Sequence, residues 1–182
     1  MAESHSPADF VDNEEEALEQ EDQAPEQDEQ SVKEPTQEER FEEALKSHGL
    51  TRVEAAEILD TLLTGEDYTR EYKVTEKLSV TFRTRSTKEV TWITEMIDKR
   101  APNTRGTYEH LITKFNMPAA LVKITGPKAR TFDHGTYKDY ISNLEWVDEN
   151  LNSMAFTALA QKLHEFDSML NLVLSGMNIE NF

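Results

Sequence analysis

Residues 73–92 read KVTEKLSVTFRTRSTKEVTW, and the fold turns on how this stretch is divided. Val74, Leu78, Val80 and Phe82, with Tyr72 just before them, alternate with Lys73, Ser79, Thr81 and Arg83. A period of two puts the apolar set on one face of an extended chain and the Lys, Ser, Thr and Arg set on the other. A three-residue loop at Thr75-Glu76-Lys77 pairs Val74 with Leu78 and Tyr72 with Val80, keeping the apolar face whole. A two-residue loop sets Val74 against Ser79 and mixes the faces. The stretch therefore predicts a β-hairpin over about 68–84, with a single long strand as the alternative. Directly behind it, Ser86-Thr-Lys-Glu89 has the spacing of a capping box, in which hydroxyl and carboxylate satisfy orphan helix amides reciprocally. Strand is predicted to pass into helix almost at once.

Outward from the hairpin the apolar period lengthens to that of helices. Upstream, Phe41, Ala44 and Leu45 precede Gly49 as a stop. Thr51-Arg-Val-Glu54 is another capping box, followed by Ala55, Ile58, Leu59 and Leu62 and a stop at Gly65. Downstream, Val90, Ile93, Met96 and Ile97 form the apolar side of a helix with Trp92 beside it, closed by Pro102. Tyr108, Leu111, Ile112 and Phe115 face inward from a helix beginning near Thr107. MPAALVKITG (117–126) is apolar enough to be a buried helix or a short strand, and periodicity leaves both open. Tyr137, Tyr140, Ile141, Leu144 and Val147 mark one more helix, and Phe156, Leu159, Leu163, Phe166 and Leu170 the last. LNLVLSGMNIENF (170–182) reads as an apolar C-terminal tail punctuated by Gly176. The expected class is α+β and predominantly helical, with a small β-hairpin packed on a helical body.

Charge divides the chain of 182 residues and net charge −17 into two parts. Residues 1–40 hold 15 Asp or Glu against 2 Lys or Arg, whereas the remaining 142 hold 21 against 17. The segment DNEEEALEQEDQAPEQDEQSVKEPTQEE (12–39) has too little apolar surface to offset the entropy of ordering. Residues 1–36 are therefore expected to be a disordered acidic tail, and 37–182 a single domain. The tail reads as a solubilising segment, or as an electrostatic clamp on a basic partner. Its charge repels phosphates and argues against nucleic acid. The N-terminus lacks the basic and apolar regions of a secretory signal, and no apolar run reaches the roughly 18 residues of a membrane span. A soluble, intracellular protein is expected.

Chemistry is harder to find. The absence of Cys excludes disulfides, zinc–thiolate sites and thiol catalysis. The histidines at 5, 48, 110, 134 and 164 include no pair at metal-helix spacing. LLTGED and ITGPKA lack the GK[ST] ending of a phosphate-binding loop, and no serine nucleophile elbow occurs. The residues predict no enzyme, no metal and no cofactor.

The order of phrases carries one resemblance. LSVTFRTRSTKEV, then a helix, then TYEHLITKFNMPAALVKITG, and the ending LHEFDSMLNLVLSGMNIENF resemble the small tail-assembly proteins of tailed bacteriophages, over roughly Tyr68 to Phe182. The resemblance implies a non-enzymatic tail assembly chaperone that holds an aggregation-prone tape-measure or baseplate component in the host cytoplasm. Two alternatives stand beside it: a structural virion protein of the baseplate, neck or head interior, and an acidic nucleic-acid mimic that binds a basic host protein. For a viral tail or baseplate partner, the outward face of the strand offers Thr81, Arg83 and Arg85, read as an edge whose arginines select acidic residues. The Met-containing segments offer Met117, Met169, Leu172, Val173 and Met177, with the closing Phe182; the simpler reading of these is core. Self-association is a further expected partner mode, and reversing both arginines is expected to leave the fold intact.

Overall fold

A computed structural model describes residues 34–100 and 105–177. The expected disorder of the tail, the stop at Pro102 and the role of Phe182 fall outside the described residues. Six helices and four strands are present among those described: α1 (Gln37–Ser47), α2 (Arg52–Thr64), β1 (Thr69–Thr75), β2 (Leu78–Arg83), α3 (Thr87–Asp98), α4 (Arg105–Ala120), β3 (Leu121–Ile124), β4 (Arg130–Thr131), α5 (Tyr137–Asn150) and α6 (Ser153–Gly176). The class is α+β with a predominance of helix, and the strands form one antiparallel sheet in the order β1-β2-β3-β4.

Local chemistry sets the helix starts. Thr51 accepts from the Glu54 amide while the Glu54 carboxylate accepts from Thr51, and Ser86 and Glu89 repeat the arrangement. Thr36 with Glu39 and Thr136 with Asp139 are two further capping boxes. Both have the same three-residue spacing in the sequence, Thr36-Gln-Glu-Glu39 and Thr136-Tyr-Lys-Asp139. Removing the acceptor hydroxyl in Thr51→Ala or Thr136→Ala should each lower unfolding free energy by about 0.5–2 kcal/mol, with Ser at either position restoring most of it. Urea titration checks this; an unchanged midpoint in both variants would mean that the boxes do not hold these helix starts.

The hairpin departs from expectation at its tip. Tyr72 pairs with Val80 and Lys73 with Ser79, but Leu78 faces Thr75 rather than Val74. A bulge between Lys73 and Thr75 takes up one residue, so a tight turn at Glu76-Lys77 coexists with an unbroken apolar face. The turn joining β3 and β4 lies against this tip. Gly126 there has φ +106, and a Cβ on it would stand 3.0 Å from the Lys77 carbonyl oxygen. Both facts require glycine.

The segment MPAALVKITG is helix and strand in succession. α4 runs through Ala120 with Pro118 in its last turn, and β3 starts at the next residue. Pro118 brings no amide to the ladder, and the buried Asn143 side chain donates to the Asp133 carbonyl at 2.8 Å and lies 3.5 Å from the Pro118 carbonyl. β3 then pairs with β2 in the register Val80–Ile124 and Thr81–Lys123.

Two apolar clusters result. In the larger, Leu159, Leu163, Phe166, Met169, Leu170 and Val173 of α6 pack with Val80 and Phe82 of the sheet and with Phe41, Leu45, Ala55, Ile58 and Leu59 of the first two helices. The smaller joins Ile93 and Ile97, Phe115 and Ala119, and Tyr140 and Leu144 from α3, α4 and α5. Three expectations fail at the margins: Val90, Tyr108 and Tyr137 are exposed. They flank apolar stripes narrower than the sequence period allows for, and Tyr137 caps the rim of the smaller cluster edge-on to Trp92 at 5.5 Å. The expected C-terminal tail is also wrong as far as residue 176. It is the second half of α6, because Met169, Leu170 and Val173 stay on the buried stripe.

Candidate functional site

The arginines after Phe82 diverge. β2 is not an edge: it has β1 on one side and β3 on the other, so Thr81 lies half-buried between Glu71 and Lys123. Arg83, expected on an outward face, is only 6% exposed. Its Nη1 donates to Asp67 at 3.0 Å and to the Thr84 carbonyl at 3.1 Å, and its Nη2 donates to Glu89. Glu89 is itself 2% exposed. Burial alone would push its carboxyl up. The His134 ring, whose Nδ1 stands 3.8 Å away, the Ser86 amide and hydroxyl, each at 2.9 Å, and the Arg83 charge outweigh that and hold the group at about 2, from an ordinary 4.5. His134 Nε2 in turn lies 2.7 Å from the Leu121 carbonyl oxygen. Arg83 is thus committed inside the protein, where it ties β2 to the start of α3. Buried and paired in this way, Arg83 is not available to a partner, contrary to expectation, and Thr81 has no free edge to offer.

Arg85 lies elsewhere. The loop between β2 and α3 turns its side chain toward α6, where Nη2 donates to Asp167 at 2.6 Å. Around this pair Leu62, Thr84, Val90, Leu170, Asn171 and Leu174 line an open groove of about 350 Å³. Val90 is 47% exposed and Leu174 37%, and Met177, one turn beyond Leu174, is 50% exposed. Its lining is mixed: Leu62, Val90, Leu170 and Leu174 are apolar, Thr84 and Asn171 are polar, and Arg85 keeps a buried Nη1 without a hydrogen-bond partner among the described residues beside its pair with Asp167. Of the other expected contact residues, Met117, Met169 and Val173 are core, and Leu172 is half-buried against it. Met169 also receives Arg70 Nη1 at 2.9 Å on its sulfur. Of the expected residues, Arg85 lines this groove, whereas Met177 is exposed at the end of α6 and is not among its lining residues. Val90 and Leu174 complete it, and neither could be separated from core by helical spacing.

A larger groove of about 540 Å³ separates α4, the end of α5 and the start of α6. His110 lies 5.6 Å from the Phe156 ring there, and Lys114 Nζ is paired with Asp148 at 2.8 Å. The pairing neutralises both groups and leaves a mixed, wet surface. Among the described residues, no set of His, Asp and Glu is placed to hold a metal ion, and no helix is long and apolar enough to cross a membrane. The chain is an α+β domain with an open, partly apolar groove around Arg85. Comparison of the chain with family models, with curated proteins and with solved structures finds no match.

Proposed function

We propose that this protein is a non-enzymatic assembly chaperone of a tailed bacteriophage, which holds a tape-measure or baseplate component in the host cytoplasm until the tail is built. The groove around Arg85 carries this reading. Val90 and Leu174 expose apolar surface on its walls, beside the Arg85–Asp167 ion pair, and Met177 is exposed farther along the end of α6. A surface of that kind suits the apolar face of a client helix, taken up side chain by side chain, with Met adapting to its shape. The acid excess of residues 1–40 adds solubility to such a complex.

The test is co-expression with tape-measure and baseplate proteins of the same genome, followed by affinity capture of this chain. A client should co-purify, and the double variant Val90→Gln with Leu174→Gln should reduce that capture to background while circular dichroism and the melting midpoint stay near those of the parent. Undiminished capture would overturn the assignment of the groove. Mass spectrometry of finished virions should not find the chain. Its presence there in stoichiometric amount would make it a structural virion protein instead.

A further inference from the structure

β1 occupies the end of the sheet, and the ladder fixes which of its backbone groups are free. The Thr84 amide donates to the Tyr68 carbonyl at 2.9 Å, so the pair 68/84 is a hydrogen-bonded one. Bonded and non-bonded pairs alternate along an antiparallel ladder. Arg70 and Tyr72 therefore turn their backbone groups toward β2, and Thr69, Glu71 and Lys73 turn theirs outward. Among the described residues no backbone group bonds to that outer side. The bulge, a usual means of blunting an edge, lies beside the turn, past Lys73, and leaves Thr69–Lys73 regular.

We propose that this edge pairs with the same edge of a second copy of the chain, antiparallel, about a two-fold axis through Tyr72. Charge selects the occupant and the register. Outward groups at odd-numbered residues restrict two-fold pairings to axes at Glu71, Tyr72 or Lys73 if most of the strand is to overlap. An axis at Glu71 sets Glu71 against its own copy, and one at Lys73 sets Lys73 against its own copy; like charges directly opposite repel. The axis at Tyr72 sets Glu71 against Lys73 of the other copy, twice by symmetry, and sets Arg70 against Val74. Glu71 and Lys73 are both exposed and share one face of the strand, and the Ser79 hydroxyl donates to the Glu71 carboxylate and holds it there. The strand is thus complementary to itself in one register, as an isologous contact requires. The product is a single continuous sheet with β1 strands at its centre. The inference is independent of the chaperone reading and of the groove around Arg85, which lies at α2, α3 and α6.

Sedimentation equilibrium of the full chain over a concentration series decides it. Salt should be at or above about 0.15 M, so that the acid excess of the N-terminal segment is screened. The parent should approach twice the 20.9 kDa chain mass. Glu71→Lys alone and Lys73→Glu alone should each raise the dimer dissociation constant about tenfold or more, since two attractive cross-strand pairs become repulsive. The two single variants mixed together should associate, and the double variant E71K/K73E should return to the parent value. A chain that stays monomeric throughout, or dimers indifferent to both reversals, or a double variant as weak as the singles, would each overturn the proposal. Equal circular dichroism spectra across the set exclude misfolding as the cause.

Discussion

Glu89→Ala is expected to cost about 3–5 kcal/mol of folding free energy, the range for removing one partner of a buried ion pair. The reason is desolvation. Arg83 stays buried beneath the start of α3 with its principal counter-charge gone, and the Asp67 contact at 3.0 Å involves a carboxylate that is largely in water. The same substitution removes the carboxylate half of the Ser86 capping box. Arg83→Glu, set among Glu89 and Asp67, is expected to be at least as damaging. The sequence-based expectation that Arg83 and Arg85 could both be reversed without loss of the fold is therefore corrected at Arg83; Arg85→Glu would in turn set a carboxylate against Asp167. Acid gives a second view of the pair. Because the folded-state value of Glu89 lies below the unfolded one, its contribution is complete above about 4.5 and fades as pH falls toward about 2. Integrated over that interval it amounts to about 3 kcal/mol. Glu89→Gln, which keeps the shape and the capping geometry, should lose about that much at neutral pH and show a flatter acid limb than the parent. Urea unfolding at a series of pH values measures both. Parallel pH profiles for parent and variant would show that the Glu89 charge does not stabilise the fold.

Phe166→Ala carries an effect of similar size from a different cause. Phe166 is fully buried at the centre of the larger cluster, stacked on Tyr68 at 6.2 Å, edge-on to Tyr72 at 6.4 Å and tilted against Phe82 at 6.1 Å. Truncation removes transfer free energy and leaves a cavity walled by rings that belong to the sheet and its lead-in, so the walls cannot easily close in. A loss of about 3–5 kcal/mol follows. Phe166→Leu, which fills much of the space, should cost clearly less. Denaturant midpoints give the ranking, and near-ultraviolet circular dichroism should lose part of its tyrosine signal in the Ala variant. Equal costs for Ala and Leu would mean that shape at this position does not matter.

What was legible in the sequence depended on neighbours in the chain. The capping boxes at Thr51 and Ser86 involve residues three apart, and the pairing of Tyr72 with Val80 follows from matching faces across a short turn. The stripes Ala55–Ile58–Leu59 and Leu159–Leu163–Phe166 needed only the helical period. The bulge at the hairpin tip was not legible, because two turn lengths preserve the same face once a residue is allowed to drop out of register. Nor was the change from helix to strand after Ala120: an apolar run has no face to compare until β2 supplies an open side for β3.

The candidate site shows the same division more sharply. Taken alone, the sequence determined that Arg83 and Arg85 follow a buried Phe82 and precede a capped helix, and that apolar residues recur to the end of α6. Tertiary structure decided which arginine meets water. Asp67 and His134, from distant parts of the chain, close with Glu89 over Arg83, while Asp167 on α6 holds Arg85 at the floor of an open groove. It also decided that Val173 is core and Leu174 is groove wall, one residue apart on a helix. Alternation and helical period specify which residues share a face. Whether that face is covered is set by the elements that arrive from elsewhere, and burial, with the electrostatics that follow from it, is a property of that cover.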